Sequence, residues 1–253
     1  MINLKLIDIV EGEDFQREPD RAANLSYVHN AESGFCVWTD DQYKEYGVNA
    51  AALGDKNSMF TDMSQNKHLD IGMGYYIPMN HYRMVDVHFH PPNTNLKPSF
   101  SDIEETIASM NANIAFRDSN SEYDRSVFSK DGEFIGTKVD YILPISFIGM
   151  RRNNSEGYGL ILYQALSTKI RIYKFYEFIA QYCNEKYNTE FTPEIFACFP
   201  GIPTKFNSPR RMAELLNLSG QFKSDFINSK RGRITPRSLG KIKKFKIIKT
   251  EFD

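Results

Sequence analysis

VDVHFHPPNTNLKPSFSDIEETIASM, residues 85–110, is where the chain declares its architecture. The run up to Phe89 reads as a strand, on which residues two apart project to the same face. His88 and His90 therefore present both imidazoles in one direction at the strand's carboxyl end. Pro91 and Pro92 lack N–H groups and stop the ladder there. Beyond a proline-containing loop, Ser101 and Glu104 have the spacing of a capping box. Ile103, Ile107 and Met110 recur at helical spacing, which predicts a helix from Ser101 to about Ala115. Asp102 then falls in the first turn, where the helix dipole favours an ionised carboxylate. Strand, loop and helix together bring two imidazoles and one carboxylate into reach of each other. That donor set, with a fourth position left for water, is the arrangement of catalytic zinc; taken alone, His-x-His reads equally as a polar pair facing solvent or hydrogen-bonded at a strand end.

Working outward, GYYIPM (74–79) predicts a neighbouring strand that turns around Asn80 and His81 into 82–89. Residues 2–10 alternate apolar and polar and predict a first strand. Asp20 is placed to cap a helix over 21–31, with Glu32 at its end, and GFCVWT (34–39) is a short apolar strand. Residues 40–70 read as a polar insertion with one short helix. Downstream of a polar connection (118–133), strands are predicted over 141–150, 158–166 and 169–175, then a helix over 176–187. Strands and helices that do not alternate regularly argue for an α+β fold, a mixed central sheet with flanking helices. On this reading residues 1–187 form the core domain. Residues 188–253 are a C-terminal extension with a helix near 209–217.

Hydrophobic residues make up 41% of the 253, enough for a packed core, which excludes wholesale disorder. The net charge of −1 hides an asymmetry. Nine Lys and Arg and no acid lie between Lys230 and Lys249, which leaves −8 on residues 1–229 once Glu251 and Asp253 are set aside. A basic tail on an acidic body is either a solvated terminus or a footprint for an acidic partner such as nucleic acid. Cys36, Cys183 and Cys198 are an odd number with no paired spacing, and nothing in them points to a disulfide framework or a four-cysteine zinc site. The N-terminus lacks the apolar core of a signal peptide, and no apolar run is long enough to cross a bilayer. The expectation is a soluble protein of a reducing compartment, cytoplasmic or delivered as an effector, with no membrane partner.

The segment HFHPPNTNLKPSFSD resembles the His-x-His-Pro…Ser-x-x-Asp signature of the JAMM (JAB/MPN+) zinc metalloproteases, whose motif the RadC-like proteins share. The resemblance implies a JAB/MPN, cytidine-deaminase-like fold and a Zn2+ ion held by His88, His90 and Asp102. It implies that Ser99 helps stabilise the oxyanion, and that an upstream Glu activates water. Glu32 occupies that setting, ahead of Glu11, Glu13 and Glu45. Eight residues separate His90 from Ser99, one more than the usual family spacing. Ser101 is therefore the substitute for Ser99, although its natural role is to cap the helix. Of the other histidines, His81 is the best placed for a substrate contact. The implied activity is hydrolysis of an amide in a protein or peptide, with a ubiquitin-like modifier as one substrate class. The alternative is a RadC-like protein that binds nucleic acid through residues 230–249.

Overall fold

A computed structural model describes residues 4–40, 43–54, 61–62, 75–76, 81–92, 102–108, 110, 126–128, 134–151, 157–198, 209–229 and 233–252. Two helices open the chain, α1 (Leu6–Glu11) and α2 (Glu13–His29). Strands β1 (Ser33–Asp40), β2 (Tyr46–Val48) and β3 (Ala52–Leu53) follow, then the short parallel pair β4 (Thr61–Asp62) and β5 (Tyr75–Tyr76). After β6 (His81–Phe89) comes α3 (102–108, with residue 110 also helical). Next are β7 (Ser126–Phe128), β8 (Phe134–Ile142), β9 (Ile145–Arg151) and β10 (Tyr158–Ala165). The chain continues through α4 (Ile172–Tyr187), α5 (Pro193–Cys198), α6 (Pro209–Leu218) and β11 (Phe222–Ser229) to β12 (Ile247–Phe252).

The central sheet runs β11-β10-β9-β6-β1-β2, with β3 also paired to β1. Its pairs are antiparallel except β6 with β9, which is parallel, so the sheet is mixed. A parallel pair cannot be joined by a tight hairpin. The long crossover between β6 and β9 carries α3, β7 and β8, and β8 forms a separate three-stranded sheet with β7 and β12.

Pleat alternation sorts the apolar residues into two cores. Val85, Val87, Phe89, Phe147, Leu160 and Leu162 face α1 and α2, which contribute Leu6, Ile9, Phe15 and Ala22. Ile148, Ile161 and Tyr163 point to the other face, where α3, α4 and α6 add Ile103, Ile107, Phe175, Ile179, Met212 and Leu216. The sheet is thus covered by helices on both faces, and the expected α+β class with a mixed central sheet is what the chain adopts.

Four local expectations differ. Residues 2–10 alternate, but Leu6, Ile9 and Val10 also satisfy helical spacing, and α1 buries all three. Residues 169–175 were expected as a strand, yet Ile172 starts α4, whose buried Phe175, Tyr176, Ile179, Ala180 and Cys183 follow the helical period. Helix α2 begins at Glu13, well before Asp20, and contains Pro19. A proline inside a helix forfeits one backbone bond, but Phe15 packs edge-on against Phe35 of β1, 5.4 Å between ring centroids, and holds the earlier turns to the sheet. The strand expected over 141–150 is two strands in different sheets, divided at Leu143–Pro144.

The boundary expected at residue 187 does not separate two cores. Beyond it, β11 pairs with β10 through eight residues, Tyr158↔Ser229 to Ala165↔Phe222. The basic segment is also packed down: Ile234, Leu239, Ile242 and Phe245 are buried against the first core. Gly240, at φ +50, takes a conformation and a space that only glycine fits, since a Cβ there would lie 2.1 Å from Asp225 Oδ2. Among the described residues, no helix is long and apolar enough to cross a membrane.

Candidate metal centre

Strand β6 delivers the two histidines as the pleat requires. Val85, Val87 and Phe89 enter the first core, so Asp86, His88 and His90 face α3. The ladder reaches one residue past the strand: the His90 N–H donates to Gly149 O at 2.8 Å, just before Pro91 ends it. Helix α3 begins at Asp102 among the described residues and buries Ile103, Ile107 and Met110, the stripe read from the sequence. Its first turn is pinned from inside. Asp102 O accepts hydrogen bonds from Thr106 Oγ1 at 2.9 Å and from Tyr163 Oη of β10 at 3.1 Å, and Thr106 also meets Ser146 Oγ of β9 at 2.8 Å. Glu104, expected to reach back to the cap, accepts a hydrogen bond from Tyr176 Oη of α4.

These supports bring three side chains to one point. His88 Nε2 lies 3.2 Å from His90 Nε2 and 3.2 Å from Asp102 Oδ1, and His90 Nε2 lies 3.6 Å from Asp102 Oδ2. Ligands bound tetrahedrally at about 2.0–2.1 Å stand about 3.3–3.4 Å apart. The observed separations bracket that spacing. His88 and His90 are 5% and 7% exposed, so the centre sits in a largely dry environment with little water to screen its charges. Two imidazole nitrogens and a carboxylate this close, one carboxylate oxygen beside each ring, and this buried, demand a positive charge between them: a proton or a metal ion. The group can hold a metal, and among the described residues it is the one such convergence of His, Cys, Asp and Glu.

Charge around the centre points the same way. Burial opposes ionisation of Asp102, but the attraction and hydrogen bonds of His88 and His90 outweigh it and hold its carboxyl well below the usual range. For His88, burial disfavours the cation, yet Asp102 and Asp86 more than compensate and push its pKa well above the ordinary histidine value. Three acids, Asp86, Asp102 and Glu105, cluster here around one Arg83, and burial together with Asp86 pushes the Glu105 carboxyl pKa up, so negative charge is crowded at the centre. A proton on His88 or a bound cation offsets that crowding.

Gly34 of β1 faces His88 directly in the antiparallel register. A Cβ there would stand 2.4 Å from Val87 O and 3.0 Å from His88 Cβ, so the glycine leaves room for the histidine's backbone. Glu32 precedes β1 by one residue. Since Ser33 pairs with Phe89, Glu32 stands one register step further on, level with His90. It is half-buried, and its carbonyl accepts the Gly54 N–H at 2.7 Å. It is not one of the three converging side chains. The other acids considered lie elsewhere. Glu45 O is bonded by Thr39 Oγ1 at the far end of β1. Glu11 and Glu13 flank Gly12, whose open side faces Tyr46 of β2, again at the far end. Glu32 alone of the four shares the histidines' end of the sheet.

The same register places His81 at the other end of β6 from His88 and His90. It pairs with Asp40 and packs edge-on against Trp38 at 4.7 Å between centroids. The register from Gly34, opposite His88, to Asp40 spans six residue steps of β1, so about 20 Å of strand separates it from His88. Ser99 and Ser101 lie outside the described residues. The residue that sequence reasoning overlooked is Asp86, whose Oδ2 is 3.3 Å from His88 Nδ1. Extending the two-residue period one step back, to Asp-x-His-x-His, would have found it. Cys36 is buried beside it, and burial pushes its thiol pKa up, which makes it a packing residue, not a nucleophile.

None of the family models, curated proteins or solved structures compared with the chain matches it.

Proposed function

We propose that the chain is a zinc-dependent amide hydrolase, a peptidase or isopeptidase with a JAB/MPN-type fold and a JAMM-type centre. The observation that carries the reading is the convergence of His88, His90 and Asp102 into a tripod: the two Nε2 atoms are 3.2 Å apart, and they lie 3.2 and 3.6 Å from Asp102 Oδ1 and Oδ2 respectively. Two imidazoles with one carboxylate suit Zn2+ better than Mg2+ or Ca2+, which prefer all-oxygen shells. The three-ligand count is that of catalytic zinc. When bound, the ion lowers the pKa of water to about 7 and polarises a carbonyl.

The chain's own groups have separate tasks. Glu32 takes a proton from the water that attacks the scissile carbonyl and passes it to the leaving amine as the C–N bond breaks. Ser99 donates a hydrogen bond to the carbonyl oxygen as negative charge develops on it. Asp86, Thr106 and Tyr163 keep the ligands in place. The substrate is a protein or peptide whose chain is extended across the centre, with the carboxyl end of a ubiquitin-like modifier as the leading class.

The test has two arms. Purified chain should contain near-stoichiometric zinc that is lost in His88→Ala. Glu32→Gln should retain the zinc but lose cleavage of a ubiquitin-like modifier joined through its terminal carboxyl to an amine reporter. Unchanged zinc in His88→Ala refutes the centre.

A second reading has its own observation. Arg233, Arg237, Lys241, Lys243, Lys244 and Lys246 are exposed while the apolar residues between them are buried, so the basic segment displays its charges from a fixed backbone. Such a surface suits nucleic-acid phosphates, as in a RadC-like role. Duplex DNA binding that weakens steeply with salt, and that is lost when the last four of these lysines become glutamine, supports it. Absence of binding at low salt dismisses it.

A further inference from the structure

Asp86 is a buried carboxylate two residues before His88 on the same face of β6. Its Oδ2 lies 3.3 Å from His88 Nδ1, and its Oδ1 lies 3.2 Å from Arg83 Nη1. The same Nη1 is 3.2 Å from Glu105 Oε1. Glu105 belongs to α3, one turn from Asp102. The chain His88–Asp86–Arg83–Glu105 therefore starts at one member of the tripod and ends on the helix that supplies another.

We propose that Asp86 is a positioning residue for the metal, and that Arg83 extends its hold to α3 as a clamp between the two elements that carry the ligands. The inference rests on the metal-centre reading above. Asp86 accepts the Nδ1–H of His88, which leaves the Nε2 lone pair directed into the tripod and sets the plane of the ring. Arg83, bonded to carboxylates on both elements, fixes the spacing between β6 and the first turn of α3. Asp102 then arrives at a set distance from both histidines.

A local irregularity makes this possible. In the register of β1 with β6, Val37 faces Val85 and Trp38 faces Arg83, so Met84 is an extra residue in β6. A regular strand would put Arg83 on the same face as Val85, inside the first core. The bulge reverses the phase and turns Arg83 towards Asp86. Arg83 and Asp86 are 6% and 8% exposed, and each ion buried so deeply needs the other.

An ion-pair network that served stability alone would leave metal affinity untouched, and this separates the two roles. Asp86→Asn keeps the shape and removes the charge. Zn2+ affinity, measured by competition with a chromophoric chelator, should fall roughly 10- to 100-fold. The visible absorption of the Co2+-substituted protein should shift with the altered ligand geometry. Glu105→Gln, at the half-exposed end of the chain, should lose affinity roughly twofold or more, and less than additively with Asp86→Asn. Wild-type Zn2+ affinity together with a wild-type Co2+ spectrum in Asp86→Asn overturns the proposal, whatever its melting temperature. If Asp86→Asn does not fold, Glu105→Gln decides in the same way. A wild-type chain that binds neither ion overturns the metal-centre reading itself, an outcome distinct from normal binding by both variants.

Discussion

Gly34→Ala tests whether the site depends on the close approach of β1 to β6. The new methyl carbon would lie 2.4 Å from Val87 O and 3.0 and 3.1 Å from His88 Cβ and Cα. Two of those three atoms are backbone and cannot swing aside, so the strands themselves must part by several tenths of an ångström. Inserting a carbon into a filled interior costs typically 1–3 kcal/mol, and a backbone collision belongs near the upper end, about 3 kcal/mol. At about 2–4 °C per kcal/mol for a chain of this size, the melting temperature should fall by about 6–12 °C. The displacement falls on His88, so zinc affinity should drop as well, because ligands tolerate errors of only about 0.5 Å. Thermal unfolding by circular dichroism in excess chelator measures the first effect, and zinc titration of the folded variant measures the second. A variant that melts within about 1 °C of wild type and binds zinc as tightly would refute the reasoning.

The raised pKa of His88 sets a pH dependence, because the metal and a proton compete for the same nitrogen. Zinc affinity should rise with pH beyond the ordinary histidine range, by up to about tenfold per pH unit for each proton displaced; a flat profile above neutrality would contradict the coupling of His88 to Asp102. The metal-free protein should show the opposite trend. The His88 contribution to stability is complete below its unfolded pKa and fades as pH rises through the folded value, whereas that of Asp102 fades only in acid, so unfolding of the chelated protein across that range checks both signs. Truncation after Tyr187 should abolish cooperative folding. It removes β11 from the edge of β10 and takes Met212, Leu215, Leu216 and Phe222 out of the second core. A truncated chain with a sharp unfolding transition would show that the domain ends where the sequence suggested.

Much of the candidate site is legible from spacing because its parts are local. His88 and His90 share a face by the pleat, Pro91 and Pro92 end the strand, and the stripe of Ile103, Ile107 and Met110 marks the helix that carries Asp102. The supporting residues are less legible. Arg83 reaches Asp86 only through a bulge defined by pairing with β1, and Tyr163 reaches Asp102 from a strand sixty-one residues away. Short apolar runs misled in one direction, strand read for helix, since six or seven residues such as those at 6–11 or 169–175 satisfy either period.

Local stereochemistry, then, decided the orientation of two imidazoles and the turn that brings in a carboxylate, because pleat, proline and helix geometry act over a few residues. Tertiary structure decided which face of the sheet receives them, that β9 runs parallel beside β6, and that the C-terminal residues complete the sheet. Those outcomes depend on pairing and burial between segments far apart in the chain. Their free energy belongs to the contact and to neither segment alone.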